Sequence, residues 1–560
     1  SALSNLNYNG YGYNTAIGHN AGAAMTTGNQ NTLVGGLAGD ALTTGAGNTA
    51  MGYGALSSED AHGRNTAVGY NSLATLNVGG EGNNTALGYK TGEGMTTGTL
   101  NTIIGAEAGD ALTSGARNVA IGASALSAED ANGRNVAVGY AALLVQDAGA
   151  DAYNVAVGYE AGVAVTTGVQ NTILGANAGD ALTTGESNVM MGYAAGSGAV
   201  TSSDNVFIGS AAGMSSNLTR GNIGIGYSAL RSATPGSLTY THNIGIGFNA
   251  GQAITSGVEN TIVGGQAGDA LTIGNYNTVL GRNALSTSVD GDNNTAVGYQ
   301  ALEDYEGGDG EGHNTAIGSN SLRDATTGEY NTSLGSLSMG TGVVTGDGNV
   351  ALGFAAGQAI TSGGDNVAIG TNALNDITTG IRNVAIGSYA LDAEDANGKN
   401  IAIGYAALST LNAGADGYNT AVGHEAGLLM TTGTANTVIG GLAGNALTTG
   451  ANNVAIGYQA LSTEDANGSS TAVGYRALKT QNAGAESYNV AVGFDAGVAM
   501  TTGVQNTIIG GDAGDALTTG DNNIIIGYAA AASAVGVDNE ITLGDANITA
   551  IRCADQSIAA

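Results

Sequence analysis

The chain has 560 residues, of which 97 are glycine, one is proline and none is tryptophan, and its formal net charge is −32 at pH 7. This composition excludes collagen, and the 42% hydrophobic fraction argues against disorder. An acidic surface repels nucleic acid and anionic membranes, and no run of 18 apolar residues occurs, so we expect neither nucleic-acid binding nor membrane insertion.

Residues 1–13 lead into a repeat that begins at Asn14 with the phrase NTAIG. A glycine closes each copy, and 31 such anchor glycines run from Gly18 to Gly544. In most copies the interval to the next anchor is about 17 residues, as from Gly18 to Gly35, and in the others it is slightly longer. The residue three before the anchor is always Thr, Val or Ile, and the residue just before it is Ile, Val, Leu or Met. Residues two apart share one face of a strand, so each copy predicts a short strand.

The rest of each copy predicts a glycine bend, a second short strand and a corner rich in Gly, Asn and Thr. One such coil cannot bury its apolar face alone, whereas a stack of coils can. We therefore predict an all-β chain, a parallel β-solenoid or β-roll of about 31 coils over residues 14–537, followed by an end segment over 538–560. The insertions of the longer copies fall in the corners, where a coil can bulge outward.

The first residue of the phrase is Asn in 29 of the 31 copies. Asparagine side chains stacked at strand spacing can form a hydrogen-bonded ladder. The glycine that ends the phrase permits a bend that a Cβ would resist. We assign structural roles to these asparagines and anchor glycines, exemplified by Asn14, Gly18, Asn31, Gly35, Asn48, Gly52, Asn118, Gly122, Asn506 and Gly510.

Two stretches of the sequence carry a family resemblance. The phrase NVAIG at residues 118–122, with its relatives, resembles the head repeats of YadA-like trimeric autotransporter adhesins, which implies a homotrimer of left-handed parallel β-rolls, intertwined or side by side. The stretch DNEITLGDANITAIRCADQSIAA, residues 538–560, resembles the segment before the endosialidase-type intramolecular chaperone of phage tail fibres. That resemblance implies a mature product cut near Ala560. Together they resemble long tail fibres of cyanophage-like viruses.

The resemblance implies a homotrimeric tail fibre shaft in the virion, which takes part in host attachment. Its partners would be a host cell-surface glycan or protein receptor and other tail or fibre proteins, with avidity from three chains. The alternative is a trimeric bacterial surface adhesin or extracellular matrix filament at the cell surface. No GxSxG, Walker-type or HExxH motif occurs, and the EDANG carboxylates recur at four equivalent corners, so we expect no enzyme, no catalytic residue and no resident cofactor.

Two further patterns leave alternatives open. In a trimer, aspartates of the AGDAL phrase could meet at the axis and hold a divalent cation, although a turn-forming aspartate bonded to nearby backbone is the interpretation we favour. Tyrosines that follow the anchor glycines could stack on sugars or cover the seam between chains, and we favour the seam. The candidate aspartates are Asp40, Asp110, Asp180, Asp269 and Asp515.

Overall fold

The structure is a computed structural model that describes residues 1–7, 11–237, 239–307, 312–396 and 398–550. The chain divides into two units, Ser1–Asp290 and Gly291–Ala560. The described residues form no helix, and within each unit short strands run parallel to one another, one per coil. The predicted all-β parallel β-solenoid of about 31 coils, mostly about 17 residues long, is confirmed.

The first unit contains sixteen stacked strands among its described residues, and β13 (Thr219–Arg220) and β15 (Thr239–Tyr240) pair separately with each other. The stacked strands are β1 (Thr15–Ile17), β2 (Thr32–Val34), β3 (Thr49–Met51), β4 (Thr66–Val68), β5 (Thr85–Leu87), β6 (Thr102–Ile104), β7 (Val119–Ile121), β8 (Val136–Val138), β9 (Val155–Val157), β10 (Thr172–Leu174), β11 (Val189–Met191), β12 (Val206–Ile208), β14 (Ile223–Ile225), β16 (Ile244–Ile246), β17 (Thr261–Val263) and β18 (Thr278–Leu280). Equivalent residues of successive strands pair in register, as in β6 and β7.

The second unit contains fifteen stacked strands among its described residues, and they pair in the same parallel register. They are β19 (Thr295–Val297), β20 (Thr315–Ile317), β21 (Thr332–Leu334), β22 (Val350–Leu352), β23 (Val367–Ile369), β24 (Val384–Ile386), β25 (Ile401–Ile403), β26 (Thr420–Val422), β27 (Thr437–Ile439), β28 (Val454–Ile456), β29 (Thr471–Val473), β30 (Val490–Val492), β31 (Thr507–Ile509), β32 (Ile524–Ile526) and β33 (Ile541–Leu543).

The middle residue of each strand faces the core, and the two flanking residues face outward. In β7, Ala120 is fully buried whereas Val119 and Ile121 are only half-buried. The two flanking positions do share one face, as predicted, but that face is the outer one. The core is therefore built from small middle residues, most often alanine, together with inward residues of the following turns such as Ala108 and Leu112.

The segment after each strand differs from the expected second strand. Every anchor glycine except the last, Gly544, has a φ between +130° and +147°, which only glycine adopts readily. The residues that follow form turns, with left-handed residues such as Glu107 at φ 56°. The turns still bond from coil to coil, since the Glu107 N–H donates to the Tyr89 carbonyl at 2.9 Å. The second strand was a wrong prediction because left-handed residues interrupt the extended backbone that a strand requires.

The inserted residues of the longer coils lie in the corners, as predicted. Between the anchors Gly69 and Gly88, the corner residues Gly79 and Gly80 are exposed, and a Cβ on either would meet open space. The neighbouring strands β4 and β5 keep their in-register pairing across this insertion. Corner length can therefore vary without disturbing the stack.

Candidate functional site

A ladder of buried asparagine side chains runs along the start of the strands. The Oδ1 of Asn154 accepts the backbone N–H of Asn171 at 2.8 Å and its Nδ2 at 3.3 Å. The Asn171 Nδ2 also donates to the carbonyl of Gly185, in the following corner, at 2.9 Å. Equivalent Asn-to-Asn bonds reach Asn31, Asn48, Asn118 and Asn506. Each side chain thus ties its strand to the coil before it and to the corner that follows.

The anchor glycines stack directly on one another. A Cβ built on almost any of them would collide with the carbonyl group of the anchor glycine one coil later, so successive backbones pass too close for a side chain. Glycine is required here for both its φ and its size. The anchors named from the sequence all show this contact, namely Gly18, Gly35, Gly52, Gly122 and Gly510.

The five candidate aspartates lie in the turns after their strands, and within one chain they do not come together. Asp40, Asp110, Asp180 and Asp269 are half-buried, and burial raises the pKa of each carboxyl, whereas Asp515 is exposed. Backbone N–H groups oppose the raised pKa at Asp40, as expected for an aspartate that bonds local backbone. An axial cation therefore stays a prediction about a trimer. The predicted processing end, Ala560, lies outside the described residues.

Buried glutamates in the EDANG corners are a feature that sequence reasoning missed. Glu59, Glu129, Glu394 and Glu464 are all fully buried. The two carboxylate oxygens of Glu59 accept the backbone N–H groups of His62, at 3.1 Å, and Val78, at 3.3 Å, so this glutamate bridges two successive corners. A constant spacing in the sequence could have indicated this role, because each of these glutamates stands six residues before a position of the asparagine ladder.

Two acidic groups in these corners have the spacing of a cation site. Glu59, Asp60 and His62 form one group, and Glu129 with two neighbouring aspartates, Asp130 and Asp147, forms the other; the ligand atoms of each group lie within 4.8 Å of one another. The buried glutamate of each group already accepts hydrogen bonds through both of its oxygens. Structural bracing of the corner accounts for these glutamates without an ion.

We expect the stability of the fold to decrease as pH rises, in part through Glu129. Burial, with a smaller contribution from Asp147 and Asp130, raises the pKa of this carboxyl from 4.5 to about 7. The folded chain therefore binds more protons than the unfolded chain between these values, and the unfolding free energy should fall by up to about 3 kcal/mol across that interval. In thermal melts at pH 5 and pH 8, Glu129→Gln should lose this part of the pH dependence.

The control for Glu129→Gln is Asp204→Asn, which removes one negative charge from an exposed position of the same unit. If Glu129→Gln shows the same pH dependence as the parent chain, the buried Glu129 does not contribute, and an equal change in both variants would make net charge the cause.

The outer face of the stacked strands carries no charge and is built mostly from aliphatic side chains and threonine. Every one of the 31 stacked strands consists of uncharged residues, although the chain has 45 acidic and 13 basic residues. Large side chains on this face are well exposed in a single chain, for example Leu280 at 49% and Leu352 at 41%. An uncharged surface that exposes a series of aliphatic side chains is typical of an interaction site. Below, it is called the outer strand face.

A second surface, the aromatic row, consists of the residue that follows each anchor glycine. Tyr53, Tyr70 and Tyr89 stack in this row with ring centroids 5.7 and 5.5 Å apart and planes within 16° of parallel. Tyr458, Tyr475 and Phe494 form a similar ladder at 5.5 and 5.0 Å. An inner ring of such a ladder has both faces covered, so it cannot also stack on a sugar. Rings at the end of a ladder, and rings outside any ladder, present an open face.

Comparison with known proteins identifies no relative, since no family model and no curated protein matches this chain. Among the described residues, no helix has the length and hydropathy of a membrane-spanning segment. Two surfaces thus stand out as functional candidates, the outer strand face and the aromatic row.

Proposed function

We propose that this chain is the structural subunit of a homotrimeric phage tail fibre shaft, located in the virion and involved in host attachment. The part of this proposal that rests on the structure is self-association through the outer strand face. The assignment to a phage fibre rests on the resemblance of residues 538–560 and of the repeats to such fibres.

The observation that carries self-association is the distribution of charge. Each chain has a net charge of −32, so two copies repel each other through most of their surfaces. The outer strand face is free of charge along both units and exposes aliphatic side chains, so it is the surface through which copies can approach without placing carboxylates opposite one another. Association through this face would also bury more apolar surface, in a fold whose core has mostly alanine at the middle position of the strands.

The proposed role is mechanical and non-enzymatic. Glu59 and Glu129 already use both carboxylate oxygens to accept hydrogen bonds in their corners, and Glu464 accepts the backbone N–H of Asn467, which favours a bracing role over that of a general acid and base. A fibre of three chains would present each surface feature three times, so weak contacts with a host glycan or receptor would gain avidity. Binding to other tail proteins belongs to the same proposal.

Charges on the outer strand face should prevent assembly. Leu334 and Leu352 occupy this face in the adjacent strands β21 and β22, and both are exposed in a single chain. In the Leu334→Glu/Leu352→Glu variant, assembly would bury carboxylates against an apolar surface, which costs several kcal/mol per chain. Native mass spectrometry should give three times 54.4 kDa for the parent protein and 54.4 kDa for the variant.

Val343→Glu is the control, because Val343 is an apolar residue in the corner between the same two strands and is at least as exposed as the two leucines. It should keep the mass of three chains, and circular dichroism should show that all three proteins retain their β-structure. A parent protein with the mass of a single chain would refute the trimer, and an assembled double variant would place the interface elsewhere.

Placement in the virion has a separate test. Antibodies against the chain should decorate the tails of phage particles in immunogold electron micrographs of phage preparations that contain it. Decoration of bacterial surfaces in place of phage tails would support the adhesin or matrix filament and reject the tail fibre.

A further inference from the structure

The aromatic row contains glycines that interrupt its ladders in a regular way. Gly36, Gly441 and Gly511 each stand at a row position whose neighbours, one coil before and one coil after, both carry rings. Each therefore leaves a gap one ring wide, which we call a slot. The rings that bound the three slots are His19 and Tyr53, His424 and Tyr458, and Phe494 and Tyr528.

The fold does not require glycine at the slots. None of the three slot glycines has a φ in the left-handed region, and other coils place tyrosine, phenylalanine or serine at the same row position. A Cβ on Gly441 would lie 3.6 Å from Cδ2 of Tyr458, and one on Gly511 would lie 3.4 Å from Cδ2 of Tyr528, both ordinary contacts. A Cβ on Gly36 would lie 3.3 Å from Cδ2 of Tyr53, a tight contact that a small shift of this exposed ring relieves. These glycines thus contrast with the anchor glycines, which cannot be replaced without a collision.

The slots have room for one six-membered ring. Successive rings within a ladder lie 5.0–5.7 Å apart, so the two rings that bound a slot lie two steps apart, at about 10–11 Å. A ring inserted halfway would have an aromatic face about 5 Å away on each side, which is the spacing of the ladder itself. The bounding rings are accessible, since Tyr53 is 53% exposed and Tyr528 is 72% exposed.

We propose that each slot binds one uncharged hexopyranose, a terminal or branch residue of a host glycan. The C–H faces of such a sugar can stack on both bounding rings, and a glycine floor lets the sugar enter more deeply than alanine or serine would. Side chains at the rim can accept bonds from its hydroxyl groups, notably Glu425 beside His424 and Asp512 beside Gly511. These carboxylates and the net charge of −32 disfavour anionic sugars.

This inference rests on the proposed role at a host surface and specifies how the host is recognised. Tyrosines within a complete ladder take no part, because their faces are covered by neighbouring rings. Gly441 and Gly511 are four coils apart, which is about 19 Å along the stack. Separate branches of one glycan can therefore occupy both slots, and a trimer would multiply their number.

The experiment fills the slots. In the Gly36→Tyr/Gly441→Tyr/Gly511→Tyr variant, each new ring occupies the place of the sugar and continues a ladder that the fold already tolerates. Saturation-transfer NMR is recorded with the methyl glycosides of glucose, galactose, mannose and their N-acetylhexosamines, and with methyl glucuronide as the anionic probe. We expect saturation of at least one neutral glycoside by the parent protein, none of the glucuronide, and at least a tenfold weaker signal with the variant.

Ala106→Tyr/Ala123→Tyr is the matched control. It adds tyrosines to the same row, but fills a gap two coils wide between Tyr89 and Tyr140, and it should bind as the parent does. The proposal is overturned if the parent saturates no neutral glycoside or if filling the slots leaves binding unchanged. Native mass separates this from the fibre proposal: a slot-filled variant that no longer assembles would assign the row to the interface between chains.

Discussion

Gly122→Ala is expected to unfold the coils around β7. Gly122 has a φ of +134°, a region that alanine avoids, and the new Cβ would lie 2.5 Å from the carbonyl carbon of Gly139. Relief requires the two coils to separate, which breaks the strand pairing of β7 with β8. We expect a loss of at least about 4 kcal/mol of local unfolding free energy, measured by hydrogen exchange of the peptides that cover residues 102–158.

Gly79→Ala serves as the control for Gly122→Ala. Gly79 lies in an exposed corner, its φ is outside the left-handed region, and a Cβ there meets nothing within 4 Å. This change should be neutral or stabilise the fold by up to about 1 kcal/mol, because alanine restricts the unfolded chain. Equal exchange rates in the two variants would show that the close approach of the anchor glycines does not prevent a side chain at residue 122.

Asn171→Ala is expected to cost about 3–5 kcal/mol, because one deletion removes four hydrogen bonds made by buried groups. The Asn188 N–H and Nδ2 both lose their acceptor, Oδ1 of Asn171, at 3.1 and 3.0 Å. The Gly185 carbonyl loses a donor at 2.9 Å, and Asn154 Oδ1 loses one of its two donors. Hydrogen exchange should accelerate in β10 and β11 first, since each coil depends on its neighbours.

Gln170→Ala is the control for Asn171→Ala, because Gln170 is exposed and adjacent in the chain. Its backbone already has a positive φ, at 62°, that alanine would keep, so the change removes only an exposed side chain. It should alter the unfolding free energy by less than about 0.5 kcal/mol. If Asn171→Ala were as mild as this control, water or a shift of the backbone would be replacing the ladder bonds.

The strands, their parallel order and the asparagine ladder could be predicted because they depend on local rules that each coil repeats. A β-branched residue, a middle residue and an aliphatic residue before glycine favour an extended segment, and a nearly constant interval between copies brings equivalent positions together. The asparagine that opens the phrase then lies at the same height in every coil. The bonds from Asn154 to Asn171 follow from this repetition alone.

Which side of the strand faces inward could not be predicted from the period. Both the middle residue and its flanks are apolar in many strands, as in β7, so alternation did not distinguish core from surface. Volume favours the middle position, because most coils place a small residue such as Ala120 there beside the inward turn residues, although larger residues such as Phe207 and Met190 are also fully buried at this position. The turn after the strand was mistaken for a second strand for a related reason: its backbone bonds to both neighbouring coils, as a strand would, through left-handed residues that the sequence does not mark.

The aromatic slots were also beyond sequence reasoning. The three slot glycines do not stand out in a chain that has 97 glycines. The stacking distances within the ladders are needed to infer that a missing ring leaves a space one ring wide. The buried glutamates escaped notice because a charged residue in a turn is ordinarily solvated. Here Glu59 is enclosed because the corner closes over it to satisfy two backbone N–H groups.

In-register stacking allows the number of coils to change through duplication or deletion of coding sequence. The coil types recur every four coils, as at Gly353, Gly423 and Gly493, so near-identical segments of coding sequence lie in tandem and invite unequal recombination. When one block of four coils is gained or lost, each remaining coil still contacts coils of the same types as before. The ladder asparagines also remain in register. The length of the stack would change in steps of about 19 Å, and the number of slots would change with it. The number of coils and the number of slots can therefore change together, without any new solution to the packing of the core.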